Sequence, residues 1–176
     1  PLKLYGAGSD SGTFDYFTEA TVGKAKSSRG DYTASEDDNV LVQGIATDEG
    51  SLGYFGYAYY AENKNKLKAL GIDIGKGAVL PSIETVESGS YQPLSRPIFI
   101  YVSKRAAKKS EIKEFVEFYL KHSAQLVKEV NYIALPQEAY DMALKRFQLG
   151  KTGSAFGGEA EVGVKVLELL KRKPKS

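Results

Sequence analysis

No cysteine occurs anywhere in the 176 residues, which removes disulfides, thiolate metal sites and a cysteine nucleophile together. A single histidine, His122, leaves no ordinary set of zinc ligands. It closes an amphipathic stretch, where an imidazole is expected to be solvated or to pair with a helix dipole. No run reaches the ~18 consecutive apolar residues that a membrane-spanning helix needs. From the strand-like opening Pro1-Leu2-Lys3-Leu4-Tyr5, no amino-terminal signal sequence is expected in this stretch. An excess of charge is lacking too. The 24 Lys and Arg residues against 22 Asp and Glu leave a net charge of +2, too little to argue for a nucleic-acid partner. The one basic cluster, Lys171-Arg172-Lys173-Pro174-Lys175, reads as a solvated tail.

Several catalytic signatures are missing as well. Gly150-Lys151-Thr152 invites a P-loop reading, but Lys145 stands where the motif needs its first glycine, and the segment follows a helix rather than a strand. No Gly-x-Ser-x-Gly elbow occurs. The acidic run at Asp37-Asp38 lacks the spacing of an EF-hand loop, and nothing in the order of residues sets two carboxylates across a scissile bond. The chain is therefore expected to be no enzyme and to need no cofactor.

What is present is enough for a real core, in one domain or two small lobes: hydrophobic residues make up 42% and charged ones 26%. Apolar and helical segments alternate. Leu4-Tyr5-Gly6 reads as a strand, followed by a helix to about Ala25 with Phe14 and Phe17 inward and Val22 at the same spacing. An exposed loop follows to Tyr32. A helix capped by Asp37 or Asp38 carries Val40, Leu41, Val42 and Ile45. Then come a short strand over 51–56, a helix over 57–63 whose tyrosines pack rather than bind, and an edge strand over 66–73. A short capped helix lies at 81–86, and 88–97 is an irregular connector. Ile98-Phe99-Ile100-Tyr101-Val102 is the best strand by composition, expected to be buried on both faces. Ser110 caps an amphipathic helix with Ile112, Phe115, Val116, Tyr119 and Leu120 on one face. A second helical stretch carries Leu126, Val127 and Val130, and Pro136 opens a third with Tyr140, Ala143, Leu144 and Phe147 inward. A glycine-rich loop over 153–158 and a last apolar segment over 162–170 complete an α/β chain with a lobe boundary near 91–97.

The candidate site is Ser11-Gly12-Thr13, where the first strand turns into the first helix. The opening turn of a helix leaves backbone N–H groups without internal partners, at the positive end of the aligned peptide dipoles. Two hydroxyls and a glycine without a side chain let an anion reach several donors at once, phosphate foremost. The competing reading is that Ser11 or Thr13 only caps the helix. Asp10, beside them, is expected to brace the turn.

The run Leu4-Tyr5-Gly6…Asp10-Ser11-Gly12-Thr13-Phe14-Asp15-Tyr16-Phe17-Thr18-Glu19 resembles the phosphate-binding proteins of bacterial ABC transporters (PstS-type), in particular their cyanobacterial SphX-like branch. The stretches 31–39, 52–59 and 97–102 support the resemblance, which extends over essentially the whole chain. It implies a periplasmic-binding-protein-like fold of type II, with two α/β lobes of which this chain holds only part of each. On that reading residues 1–94 are part of the second, ligand-binding lobe, and residues 95–176 are the closing segment of the first. It implies that Ser11, Gly12 and Thr13 supply one half of a clamp for inorganic phosphate; Asp10 is a further candidate contact from its place beside them, not from the resemblance. Relatives often carry an arginine at the position of Ala7, and Arg29 is the substitute expected here. Since the family is about twice this length, the chain looks like its carboxyl-terminal half. The expected partners are then phosphate, an ABC permease, and a complementary amino-terminal half or a second copy of the chain, in a periplasmic or otherwise extracytoplasmic setting. Two rivals remain: a folded fragment that hides orphaned sheet edges by self-association, and a phosphoester hydrolase.

Overall fold

The computed structural model describes residues 1–157 and 161–173. By its contacts the chain divides into two compact units, one of residues 1–86 and 90–94 and the other of residues 87–89 and 95–176.

In the first unit, β1 (Lys3–Ala7) is the middle strand of a parallel sheet, between β2 (Thr33–Ser35) and β3 (Ser51–Gly53). Tyr5, Gly6 and Ala7 lie opposite Thr33, Ala34 and Ser35, while Lys3, Leu4 and Tyr5 lie opposite Ser51, Leu52 and Gly53. Successive residues of a strand face opposite sides, and β1 uses both. The Tyr5 ring lies against Gly44 of α2 (Asp38–Thr47), whereas the Gly6 side is covered by the Tyr54 ring, itself stacked at 3.8 Å on Phe17 of α1 (Gly12–Val22). The two helices thus cover opposite faces, as right-handed crossovers leaving in opposite directions require. Ala7, Phe14, Thr18, Leu41 and Val42 form the buried core.

Local chemistry sets the helix ends. Ser11 caps α1, and Gly23, at a φ of 75°, ends it by returning its N–H to the Glu19 carbonyl at 2.9 Å. The helix therefore stops short of Ala25, and Val22 is 62% exposed. Of the two aspartates, Asp37 caps α2, its carboxylate accepting from the Asn39 N–H at 2.9 Å. Asp38 instead reaches the Gly56 N–H at the start of α3 (Tyr57–Glu62). The α3 tyrosines are half-buried rather than core, with the Lys64 ammonium 6.0 Å from the Tyr57 and Tyr60 rings. At α4 (Ile83–Glu87) the Ser82 hydroxyl accepts from the Thr85 N–H.

The edge strand expected over 66–73 does not form. Only Ile72 pairs, in an isolated antiparallel bridge with Val79. The Asp73 carboxylate collects the N–H groups of Gly75, Lys76 and Gly77 at 2.7–3.0 Å, so the segment is built around a turn.

The second unit is helical among the described residues. The stretch predicted as two helices is one, α5 (Ser110–Glu129), because Ser123 is buried with its hydroxyl donating back to the Tyr119 carbonyl and does not interrupt it. Ser110 is its first residue rather than its cap, and the Ser110 hydroxyl turns to Glu111. His122 lies inside the helix, its ring 4.3 Å from that of Phe118, not at an end. The inward side is Val116, Leu120 and Ser123, against α6 (Gln137–Gln148). Phe115 and Tyr119, expected inward, are exposed, because the apolar arc of α5 is wider than the surface α6 offers. In α6, Ala139 and Tyr140 are buried, and the Tyr140 hydroxyl accepts from the Leu135 N–H; Ala143, Leu144 and Phe147 are half-buried. Packed on α6, α7 (Val166–Lys171) buries Leu169.

Ile98–Val102 departs most from expectation. It forms no strand, and Ile98 is 71% and Tyr101 90% exposed. Strand preference is a preference for neighbours on a pleated surface, and no described residue pairs with this segment. Gly158 of the glycine-rich loop, and Pro174 and Lys175 of the basic tail, lie outside the described residues. No helix of the described residues is long and apolar enough to cross a membrane.

Candidate functional site

Strand order in the sheet is β2-β1-β3. The chain steps from β1 outward to β2, then returns past β1 to β3. In open parallel sheets such a reversal leaves a crevice beyond the carboxyl ends of the strands, where ligands bind. Here those ends lead into Gly8–Ser11 after β1, Glu36 after β2 and Tyr54 after β3.

After β1 the turn is tightly specified. The Gly8 N–H donates to the Ser35 carbonyl at 3.0 Å, which continues the ladder, and the Ser11 N–H closes back on the Gly8 carbonyl at 3.0 Å. A Cβ at Gly8 would overlap the Glu36 carboxylate, so glycine is required by close approach. Glu36 in turn accepts from the Asp10 N–H at 3.2 Å. On the other side the Tyr32 hydroxyl donates to the Ala7 carbonyl at 3.1 Å.

Both readings of Ser11-Gly12-Thr13 hold in part. Ser11 is a true cap: its hydroxyl oxygen accepts from the Thr13 N–H at 3.1 Å, and its carbonyl accepts from Phe14 and Asp15. The N–H groups of Ser11 and Thr13 are thus satisfied within the turn, which corrects the expectation that all three amides stand free. Gly12 is exposed, and its N–H has no partner among the described residues. Neither the Ser11 nor the Thr13 hydroxyl spends its hydrogen in a described bond. Three donors therefore sit on consecutive residues at the positive end of an 11-residue helix. Rotation of the Ser11 side chain would release a fourth, the Thr13 N–H.

The surroundings carry polar groups that sequence reasoning missed. Glu36 belongs to the acidic run read only as a helix start, and Tyr54 was read only as strand. Neither was visible because β2 had not been recognised, and the register Ala7↔Ser35 is what brings Glu36 over Gly8. The Tyr54 hydroxyl is buried and has no described partner, and burial, with Tyr32 nearby, pushes its phenol up to about 12. Burial, then Glu36, also raises the Tyr32 phenol. Burial raises the Asp38 carboxyl as well, against the lowering effect of its bond from Gly56.

Of the other predicted site residues, Asp10 is exposed and joins the turn through its backbone N–H. Arg29 is exposed and makes a two-pronged pair with Asp31, with the Arg29 Nε 2.7 Å from the carboxylate. No described contact joins it to residues 10–13. Within the described residues no group of His, Asp or Glu is arranged to hold a metal ion.

Comparison with known proteins gives this geometry its context. SphX of Synechococcus elongatus is 52% identical over 172 residues, covering 97% of this chain and 51% of that protein. The phosphate-binding protein PstS of Staphylococcus haemolyticus is 35% identical over 148 residues, covering 82% of this chain and 45% of that protein. The crystal structure of a possible phosphate binding protein from Planctomyces limnophilus DSM 3776 superposes with a TM-score of 0.70 at 50% identity, covering 86% of this chain and 55% of that one. The chain thus spans about half the length of the curated relatives it matches, and its two units are part of their fold. Residues 1–123, which contain the carboxyl ends of all three strands and the α1 amino terminus, match the PBP superfamily domain, and the chain belongs to that family.

Proposed function

We propose that this chain binds inorganic phosphate as part of the substrate-binding component of an ABC importer. The observation that carries the reading is the set of unspent donors at the α1 amino terminus: the Gly12 N–H and the Ser11 and Thr13 hydroxyls, set in the reversal crevice. An oxyanion with several acceptor oxygens matches such a set, and the helix dipole favours its charge. Ser11 and Thr13 then have two uses, capping without ligand and donating with it. Residues 1–94 belong to the ligand-binding lobe and residues 95–176 to the other. The remainder of the clamp lies in the part of the relatives that this chain does not span, so binding by the chain alone is weak. The setting is extracytoplasmic, and the partner that receives the anion is the permease. No hydrolysis is expected, in keeping with relatives named for binding phosphate.

Glu36 adds selectivity. A fixed carboxylate repels a fully ionised oxyanion and accepts a hydrogen bond from one that keeps a proton, as phosphate does and sulfate does not at neutral pH. Asp10 and Arg29 are lesser contributors, the latter once released from Asp31. Isothermal titration of phosphate tests the reading. The chain alone is expected to give weak binding, in the millimolar range of about −4 kcal/mol, and Glu36→Gln to narrow the preference for phosphate over sulfate. Tight saturable binding by the chain alone would contradict the half-site account, and turnover in a phosphoester assay would favour the hydrolase.

A further inference from the structure

We propose that the basic cluster at the entry to α5, formed by Lys104, Arg105, Lys108, Lys109 and Lys113, is a surface that rests on anionic phospholipid headgroups. The inference uses no residue of the anion crevice and stands or falls apart from the phosphate reading.

The net charge of +2 conceals an uneven distribution. Residues 1–94 carry 8 Lys and Arg against 13 Asp and Glu, a balance of −5, whereas residues 95–176 carry 16 against 9, a balance of +7. Charge asymmetry between the parts of one chain points to a charged partner for one of them. Within the positive part the excess is concentrated: from Ser103 to Lys113 there are five cations and a single acid, Glu111. A short 3-10 turn, Ala106–Lys108, and the start of α5 carry them, and all five are exposed. They are also unspent. Cations elsewhere among the described residues pair with acids, whereas none of these five has a described ion pair. Glu117, one turn beyond Lys113, is taken by Lys121 at 3.4 Å. No side chain caps α5, so the positive end of a 20-residue helix adds charge of the same sign. Lysine is almost never buried unless it is paired. The cluster therefore stays at the surface whatever else the fold contains, and its exposure is not that of an uncovered core.

The make-up of the cluster selects the partner. Four of the five cations are lysines, compact charges on flexible stems, which suit a diffuse field better than the two-pronged recognition that arginine gives. No aromatic residue lies between Ser103 and Glu114, so a single-stranded nucleic acid would find nothing to stack on. A protein partner would likewise find no aromatic anchor. A plane of lipid phosphates asks only for charge, and clusters of about four to eight Lys and Arg on an amphipathic helix mark surfaces for anionic lipid. Helix α5 is amphipathic in this sense, with Val116 and Leu120 buried toward α6.

The test is sedimentation of the chain with vesicles of phosphatidylcholine alone and of equal parts phosphatidylcholine and phosphatidylglycerol. Binding to the anionic vesicles is expected, and none to the neutral ones. Raising the salt from about 10 mM to about 150 mM cuts the screening length from about 30 Å to about 8 Å and is expected to weaken binding at least about tenfold. Lys104→Gln, Arg105→Gln, Lys108→Gln and Lys109→Gln together are expected to weaken it at least about tenfold at low salt. These positions are exposed and unpaired, so the fold is kept, and the salt series on the parent chain tests the proposal without any variant. Removing as many charges from the first unit, by Lys24→Gln, Lys66→Gln, Lys68→Gln and Lys76→Gln, is expected to leave binding within about threefold of the parent. Absence of binding to anionic vesicles overturns the proposal, as does equal binding to neutral ones or indifference to salt. A loss as large from the first-unit variant overturns it in favour of net charge. A loss that follows Lys171→Gln, Lys173→Gln and Lys175→Gln instead overturns it in favour of the basic tail. Binding to a single-stranded oligonucleotide as tight as to the vesicles overturns it in favour of a soluble polyanion.

Discussion

Ser11 was the most legible residue in the chain, because a hydroxyl between a glycine-bearing strand end and an apolar run has few other uses. Ser11→Ala removes the acceptor for the Thr13 N–H and is expected to lower stability by about 1 kcal/mol, read from the urea midpoint. Glu36 was not legible, since its placement depends on the strand before it. Tyr54 shows the same limit and offers a pH test. Its phenol sits near 12 in the folded chain against about 10 when unfolded. Between those values the folded state keeps a proton that the unfolded state has lost, so this group's contribution to stability declines as pH rises from about 10 to about 12. Tyr54→Phe should remove that part of the decline. Denaturation at neutral pH and near pH 11 is expected to show the variant gaining on the parent at the higher value, and an unchanged difference would rule the account out.

Among elements, those fixed by local chemistry could be read and those fixed by partners could not. The Asp37 cap of α2, the short α3 and the Ser82 cap of α4 follow from residues within a turn of one another. By contrast β2 is three residues long and exists because β1 lies beside it, and Ile98–Val102 fails as a strand because no described strand pairs with it. The breadth of the apolar arc on α5 was legible, but which side would be covered was not. The core positions permit a direct check. Leu41 and Leu169 are the largest fully buried side chains, one in each unit. Leu41→Ala is expected to cost about 2–5 kcal/mol and to speed amide exchange in β1, and Leu169→Ala to do the same in α6. Losses under about 1 kcal/mol would mean that neither packs as described.

At the scale of the whole molecule, the chain joins a sheet-bearing unit, with unspent donors at a helix amino terminus, to a helical unit that exposes large apolar side chains. This is how part of a longer fold should look: local sites are finished and long-range layers are not. On the proposed reading, the site depends on residues already present, while its affinity depends on residues supplied from outside. The most direct measurement is a phosphate titration of the isotopically labelled chain, following the backbone amide resonances. The account predicts that Gly12 and Thr13 shift progressively, with the Thr13 amide moving as Ser11 lets go of it. Resonances of Gly12 and Thr13 that stay fixed through tens of millimolar phosphate, about −2 to −3 kcal/mol of binding at most, would contradict it.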